Sequence, residues 1–210
     1  MLQWFFLSGC VICAGFLWGR LSTVGDKLAA SAFAFWSFGF ALMLMEDAGN
    51  LRHTMTRVLT GLFYSDADGM SRMVVRGIQE LGIYALLGFL LLWPLIRYRG
   101  EIPFSTRARR FILAGYVFYA VAAVSSASRH FGNWYVEAGG LIRRMTGTDQ
   151  SALWLAFEAR TLSSQSQVWH QTLNFHLMDY MLEESLELIG ATCLLVGLLQ
   201  IVEHLRNRAS

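Results

Sequence analysis

Apolar residues in this chain come in long blocks rather than at the one-face spacing of a soluble helix. Five blocks predict membrane-spanning helices near residues 2–18, 28–46, 80–97, 111–127 and 184–203. Each is close to the roughly 20 residues that cross a hydrocarbon core, and flanking turns supply the remainder. Lipid offers the backbone no hydrogen-bond partners, so such blocks close their own bonds as α-helices. Residues 48–79 and 128–178 mix apolar side chains with arginines and are expected at the bilayer surface. Within them MTRVLTGLFY and MSRMVVRGI read as short amphipathic helices, Asp66 to Gly69 as a turn, and SALWLAFEART as a helix anchored by Trp154 and Phe157. The expected fold is all-α: one polytopic integral membrane domain over 1–210, a compact five-helix bundle with amphipathic interfacial helices.

Polar residues inside this pattern mark where to look for chemistry. The stretch HLMDYMLEESLELIG runs straight into the last apolar block. If it is one α-helix, turning about 100° per residue, then His176, Asp179, Glu183 and Glu187 lie within roughly 80° of one another. A carboxylate that enters a span needs a partner, water or a proton, and Glu187 stands where the sequence has already turned apolar. Glu46, Asn50 and His53 recur at i, i+4 and i+7, sharing a face if the second helix passes through Gly49. Gly49 is equally suited to end that helix. Trp36 lies mid-span and reads as packing, Pro94 as a kink near a helix end, and Asp26 as a helix cap.

Composition agrees with the membrane reading: 55% hydrophobic residues and a mean hydropathy of +0.42 exceed what an ordinary soluble domain carries. The net charge of +2 gives no indication of nucleic acid. Position matters more than sum. Arg20 and Lys27 flank the first short loop, Arg97, Arg99, Arg107, Arg109 and Arg110 crowd the third, and Arg206 and Arg208 close the chain. Arginines in short loops favour the cytoplasm, which puts the N-terminus outside and the C-terminus inside a cytoplasmic-type (inner) membrane. The loop RYRGEIPFSTRARR is then expected against anionic lipid. No basic residue precedes the first block, so it is expected to be a retained span rather than a signal peptide. Cys10, Cys13 and Cys193 all fall inside spans and read as small thiols at helix contacts.

Five crossings bring the end of the second span and the start of the fifth to the same face. That face gathers Glu46, Asp47, Asn50 and His53 with Glu80, Ser126, His130, His176, Asp179, Glu183, Glu184 and Glu187, under a roof of residues 131–175. Histidine with carboxylates suits a divalent metal, zinc, iron or manganese. The expected ligands are His53, His176, Asp179 and Glu183, with Glu46 and Glu187 as acid–base groups. Such a metal activates water against a lipid or other amphipathic ester. Glu46, Asn50 and His53, followed by Ser126 and His130 at Ser-x3-His spacing, resemble the membrane hydrolase class that includes progestin/adiponectin-type receptors and alkaline ceramidases. The chain departs from that class in having five spans rather than seven and no His-x3-His pair. The resemblance implies a metal-dependent hydrolase. Two other readings compete. Arg52 neutralises one of Glu46 and Asp47, and Arg129 or Arg160 other acids, making a structural subunit of a homo-oligomer or larger membrane complex; or Glu187 and Gln200 line the path of a small proton- or ion-coupled transporter.

Overall fold

A computed structural model of the protein describes residues 2–49, 51–64, 69–129, 133–147 and 173–209, and within these the side chains of 52, 53, 69–73, 173, 180 and 209 are not described. The described residues form helices and no strand: α1 (Leu2–Thr23), α2 (Lys27–Gly49), α3 (Leu51–Phe63), α4 (Gly69–Arg97), α5 (Thr106–Ser128), α6 (Trp134–Met145), α7 (Leu173–His176), a π-helical turn (Leu177–Glu183) and α8 (Glu184–Ala209). Five helices are long and apolar enough to cross a membrane: α1, α2, α4 from Val74, α5, and the rod from Asn174 to Arg208. This is an all-α polytopic membrane protein.

Small residues decide which helices touch. With lipid as the solvent, close backbone approach does the work that hydrophobic burial does in water. α1 packs on α2 and α8, α5 on α8, and α2 on α4. At the α5–α8 contact a Cβ added to Gly115 would stand 3.0 Å from the Gly190 carbonyl oxygen, and one added to Gly190 would stand 3.3 Å from that of Gly115. Gly9 meets Leu195, and Gly197 meets Ile112, in the same way. Cys10, Ala14, Ala29 and Ala32 are fully buried where α1 crosses its neighbours. Phe5, Ile12, Phe16, Leu86, Phe89, Val117 and Val121 remain exposed around the outside, as lipid-facing residues should be. The three cysteines are free thiols.

The bundle is held less tightly between α4 and α5. Midway along the seam the Leu91 carbonyl joins them, accepting from Tyr116 Oη of α5 at 2.8 Å and also from Trp36 Nε1 of α2 at 2.9 Å. Pro94 lies three residues further on, and its ring crowds the preceding turn and tips carbonyls outward. Trp36 is therefore packing, as expected, and also a hydrogen-bond strut.

Several boundaries differ from the sequence reading. MSRMVVRGI is not a separate surface helix. It forms the first turns of α4, because no proline interrupts 69–97 before Pro94 and the spanning helix extends back into the interface. The fourth spanning helix begins at Thr106, five residues ahead of the expected span, where Ser105 accepts from the Ala108 N–H at 3.1 Å and sets the first turn. MTRVLTGLFY does lie within a short amphipathic helix, α3, tied to α4 by Thr60 Oγ1 and Gln79 Oε1 at 3.1 Å. The face proposed for Glu46, Asn50 and His53 rests on Asn50 and on the His53 side chain, which lie outside the described residues between α2 and α3. Gly25, with φ +84°, turns the chain from α1 to α2, and Asp26 Oδ1 caps the Ala29 N–H at 3.1 Å.

Candidate functional site

The acid-bearing rod is not one α-helix. Leu177–Glu183 is π-helical, bonded i to i+5. Each residue of a π turn advances by less than 100°, which opens the angle between His176 and Asp179 and closes that between Asp179 and Glu183. The acids keep their stripe and His176 leaves it. Because they descend along the rod, they meet different neighbours at two depths.

The outer group surrounds Arg129, just past the end of α5. Its Nη1 lies 2.8 Å from Asp179 Oδ1 and its Nη2 lies 3.5 Å from Glu80 Oε2. Glu80, 2% exposed, and Glu183, 6% exposed, are almost wholly buried. Burial pulls the Arg129 guanidinium down, but the carboxylates of Glu80, Asp179 and Glu183 outweigh it and hold it above its ordinary value. The hydroxyls of Tyr135 and Ser125 face Glu183 without closing a hydrogen bond of ordinary geometry, and Glu183 Oε1 has no partner among the described residues. Tyr135 is fully buried, its ring centroid 5.1 Å from that of Phe175, so α6 seals this group from one side. Burial first, then Glu183 and Asp179, push its hydroxyl well above the ordinary tyrosine range.

The inner group lies one turn deeper. Gln3 donates from Nε2 to Glu187 Oε2 at 3.0 Å and stands 3.5 Å from Tyr119 Oη. Glu46 and Asp47, from the last turn of α2, share this place, and Trp4 is the hydrogen-bonding neighbour of Asp47. Asp47 Oδ2 is buried with no partner among the described residues. Beneath these groups a cavity of about 450 Å³ opens between α4 and α5. Its walls are apolar, among them Leu81, Leu92, Leu113, Val117 and Ala123; Gln3, Glu46, Asp47 and Glu187 gather together on its boundary. A Cβ added to Gly88 on that wall meets open space.

The structure thus brings Glu46 and Glu187 to one cavity, as the topology argument expected. Of the four residues expected as ligands, the three whose side chains are described, His176, Asp179 and Glu183, do not converge on one another. Asp179 is held by Arg129, Glu183 faces Tyr135 and Ser125, and the His176 ring lies 6.1 Å from that of Phe175. Among the described residues no three His, Cys, Asp or Glu side chains converge as a metal site. The side chain of His53, together with Asn50, the turn at 66–68, His130 and most of the proposed roof (residues 148–172), lies outside the described residues. Gln3, Tyr119 and Tyr135 were missed from the sequence. Gln3 had a signal: an amide two residues into an apolar block has the same need for a partner as Glu187. Comparison with known proteins adds no assignment: no family model, no curated protein and no solved structure matches the chain.

Proposed function

We propose that this membrane protein admits an amphipathic, lipid-type molecule sideways between α4 and α5. The molecule's apolar part would occupy the cavity, and its polar end would meet Glu46, Asp47 and Glu187. The observation that carries this reading is the division of the cavity itself: largely apolar walls between two spans, with Gln3, Glu46, Asp47 and Glu187 collected in one place. Binding sites for small molecules have this character, an apolar pocket with a few convergent polar groups. Glu46 and Glu187 are the groups placed to give and take protons at the bound head, so the working function is a small lipid-acting enzyme of hydrolase type. Gln3 would fix the Glu187 carboxylate for that role. The arginine distribution supports an outer N-terminus and an inner C-terminus in a cytoplasmic-type membrane, with this site on the outer side.

A second reading is favoured by Arg129. A buried guanidinium tied to Glu80 and Asp179 is what a purely structural ion network provides, and it fits a non-catalytic subunit of a larger membrane complex. Photolabelling separates the two. A diazirine-bearing fatty alcohol, activated on protein in nanodiscs, is expected to label α4 and α5 peptides that line the cavity. Gly88→Phe is expected to lower that labelling about tenfold by filling the space. Labelling spread evenly over outward residues such as Ile12 and Phe16, and unchanged by Gly88→Phe, would overturn the binding reading.

A further inference from the structure

The α4–α5 seam holds a second cavity at its opposite end. It measures about 660 Å³ and shares Leu113 with the first. Its apolar part is made by Leu95, Ile96, Ile102, Phe104 and Ile112, and its charged part by Arg99 and Arg109. Both arginines are exposed, and neither has an ion pair among the described residues. The cavity lies where α4 ends at Arg97 and α5 begins at Thr106, the arginine-bearing end of two membrane spans.

We infer that this cavity is a binding site for the headgroup of an anionic phospholipid from the adjoining leaflet. Three features identify the occupant. Two unpaired guanidinium groups match a phosphate, which arginine binds through paired N–H donors. Apolar walls directly beside them match the start of acyl chains, which a free phosphate lacks. Ile96, exposed on the seam, and Leu113, shared by the two cavities, continue this apolar path toward the bilayer interior. The lipid would also fill the gap between α4 and α5 here, wedging the seam at the end opposite the carboxylates. This inference stands on its own cavity and does not depend on what the carboxylate end binds.

Native mass spectrometry of the full chain released from detergent tests it, with phosphatidylglycerol, phosphatidylcholine or inorganic phosphate added. Phosphatidylglycerol is expected to be retained in preference to phosphatidylcholine. Arg99→Ala with Arg109→Ala is expected to weaken its retention roughly thirtyfold, the loss of two charge-assisted contacts to one phosphate. Arg107→Ala with Arg110→Ala removes equal charge from the exposed start of α5 but from outside the cavity lining, and is expected to leave retention within about twofold. Equal losses in both double variants would reduce the effect to general surface charge and overturn the site. So would equal retention of the two lipids. Full displacement of phosphatidylglycerol by millimolar inorganic phosphate would overturn the lipid as occupant.

Discussion

Gln3 donates its side-chain amide to Glu187 at 3.0 Å, joining the first turn of the first span to the first turn of the last. The pair is 184 residues apart in sequence. It fixes where α1 and α8 stand relative to each other at the polar end of the bundle, and it holds one carboxylate of the candidate site in place.

Removing that donor is expected to cost stability as well as position. Gln3→Leu leaves the half-buried Glu187 side chain without its amide, a loss of about 1–3 kcal/mol for a buried polar group left unsatisfied. Adding Glu187→Leu should recover part of it, because both polar partners are then gone. Thermal unfolding of the two single variants and the double variant in detergent checks this. Strict additivity would show that the two side chains do not act on each other.

Arg129→Ala is expected to be the most damaging charge deletion in the protein. It takes the guanidinium away from Glu80 and Asp179, and breaking one side of a buried ion group costs about 3–5 kcal/mol. Arg129→Lys should retain only part of the lost stability, since one ammonium cannot reach both acids in the fork geometry of a guanidinium. A melting temperature for Arg129→Ala within a degree or two of the parent would remove the cluster from the account of the fold.

Glycines separate by what surrounds them. A Cβ at Gly139 would stand 2.1 Å from the Asn174 carbonyl oxygen, which is backbone and cannot swing aside, whereas at Gly19 it meets nothing within 4 Å. Gly139→Ala is expected to lift α6 off α7 and destabilise by about 1–3 kcal/mol, the usual range for overpacking. Gly19→Ala should be neutral or slightly stabilising in a helix. Limited proteolysis around α6 reports the first effect directly.

The Leu91 carbonyl offers a graded test of the α4–α5 seam. Trp36→Phe removes one of its two side-chain donors and is expected to cost about 1 kcal/mol from the hydrogen bond, plus the loss of ring volume in a filled core. Tyr116→Phe removes the other and should loosen the seam more than its stability cost suggests, because that bond links α4 to α5 directly. Faster amide exchange on both sides of Pro94 is the expected readout. Exchange unchanged from the parent would count against this carbonyl as the joint.

Alkaline pH tests the burial of Tyr135. Its hydroxyl is pushed up in the folded protein, while in the unfolded chain it ionises near its ordinary value of about 10. The unfolded state therefore releases this proton first as pH rises. Its contribution to stability is intact below about pH 10 and falls above it, by about 1.4 kcal/mol per pH unit while the folded form stays protonated. Tyr135→Phe should flatten that alkaline loss and be nearly neutral at pH 7, since the hydroxyl has no hydrogen-bond partner among the described residues. An alkaline limb as steep as the parent's would place the proton release elsewhere.

By itself the sequence determined that this chain crosses a membrane five times as helices, because apolar blocks of that length leave the backbone no alternative in lipid. It also determined which helix ends share a face, since successive crossings alternate, and so it placed Glu46 near Glu187. Tertiary structure alone decided how the acids divide. The π turn moved His176 off the stripe, and of the arginines that the sequence offered as counter-charges, Arg129, one residue beyond its helix, became the partner of Asp179 and Glu80. It also decided that the Leu91 carbonyl would tie α4 to α5 and that cavities would open along the seam toward both of its ends. Hydropathy follows the sum of side chains along a span, whereas these outcomes depend on which small residues let two backbones touch and on where a few long side chains find partners. Neither can be known before the helices are packed.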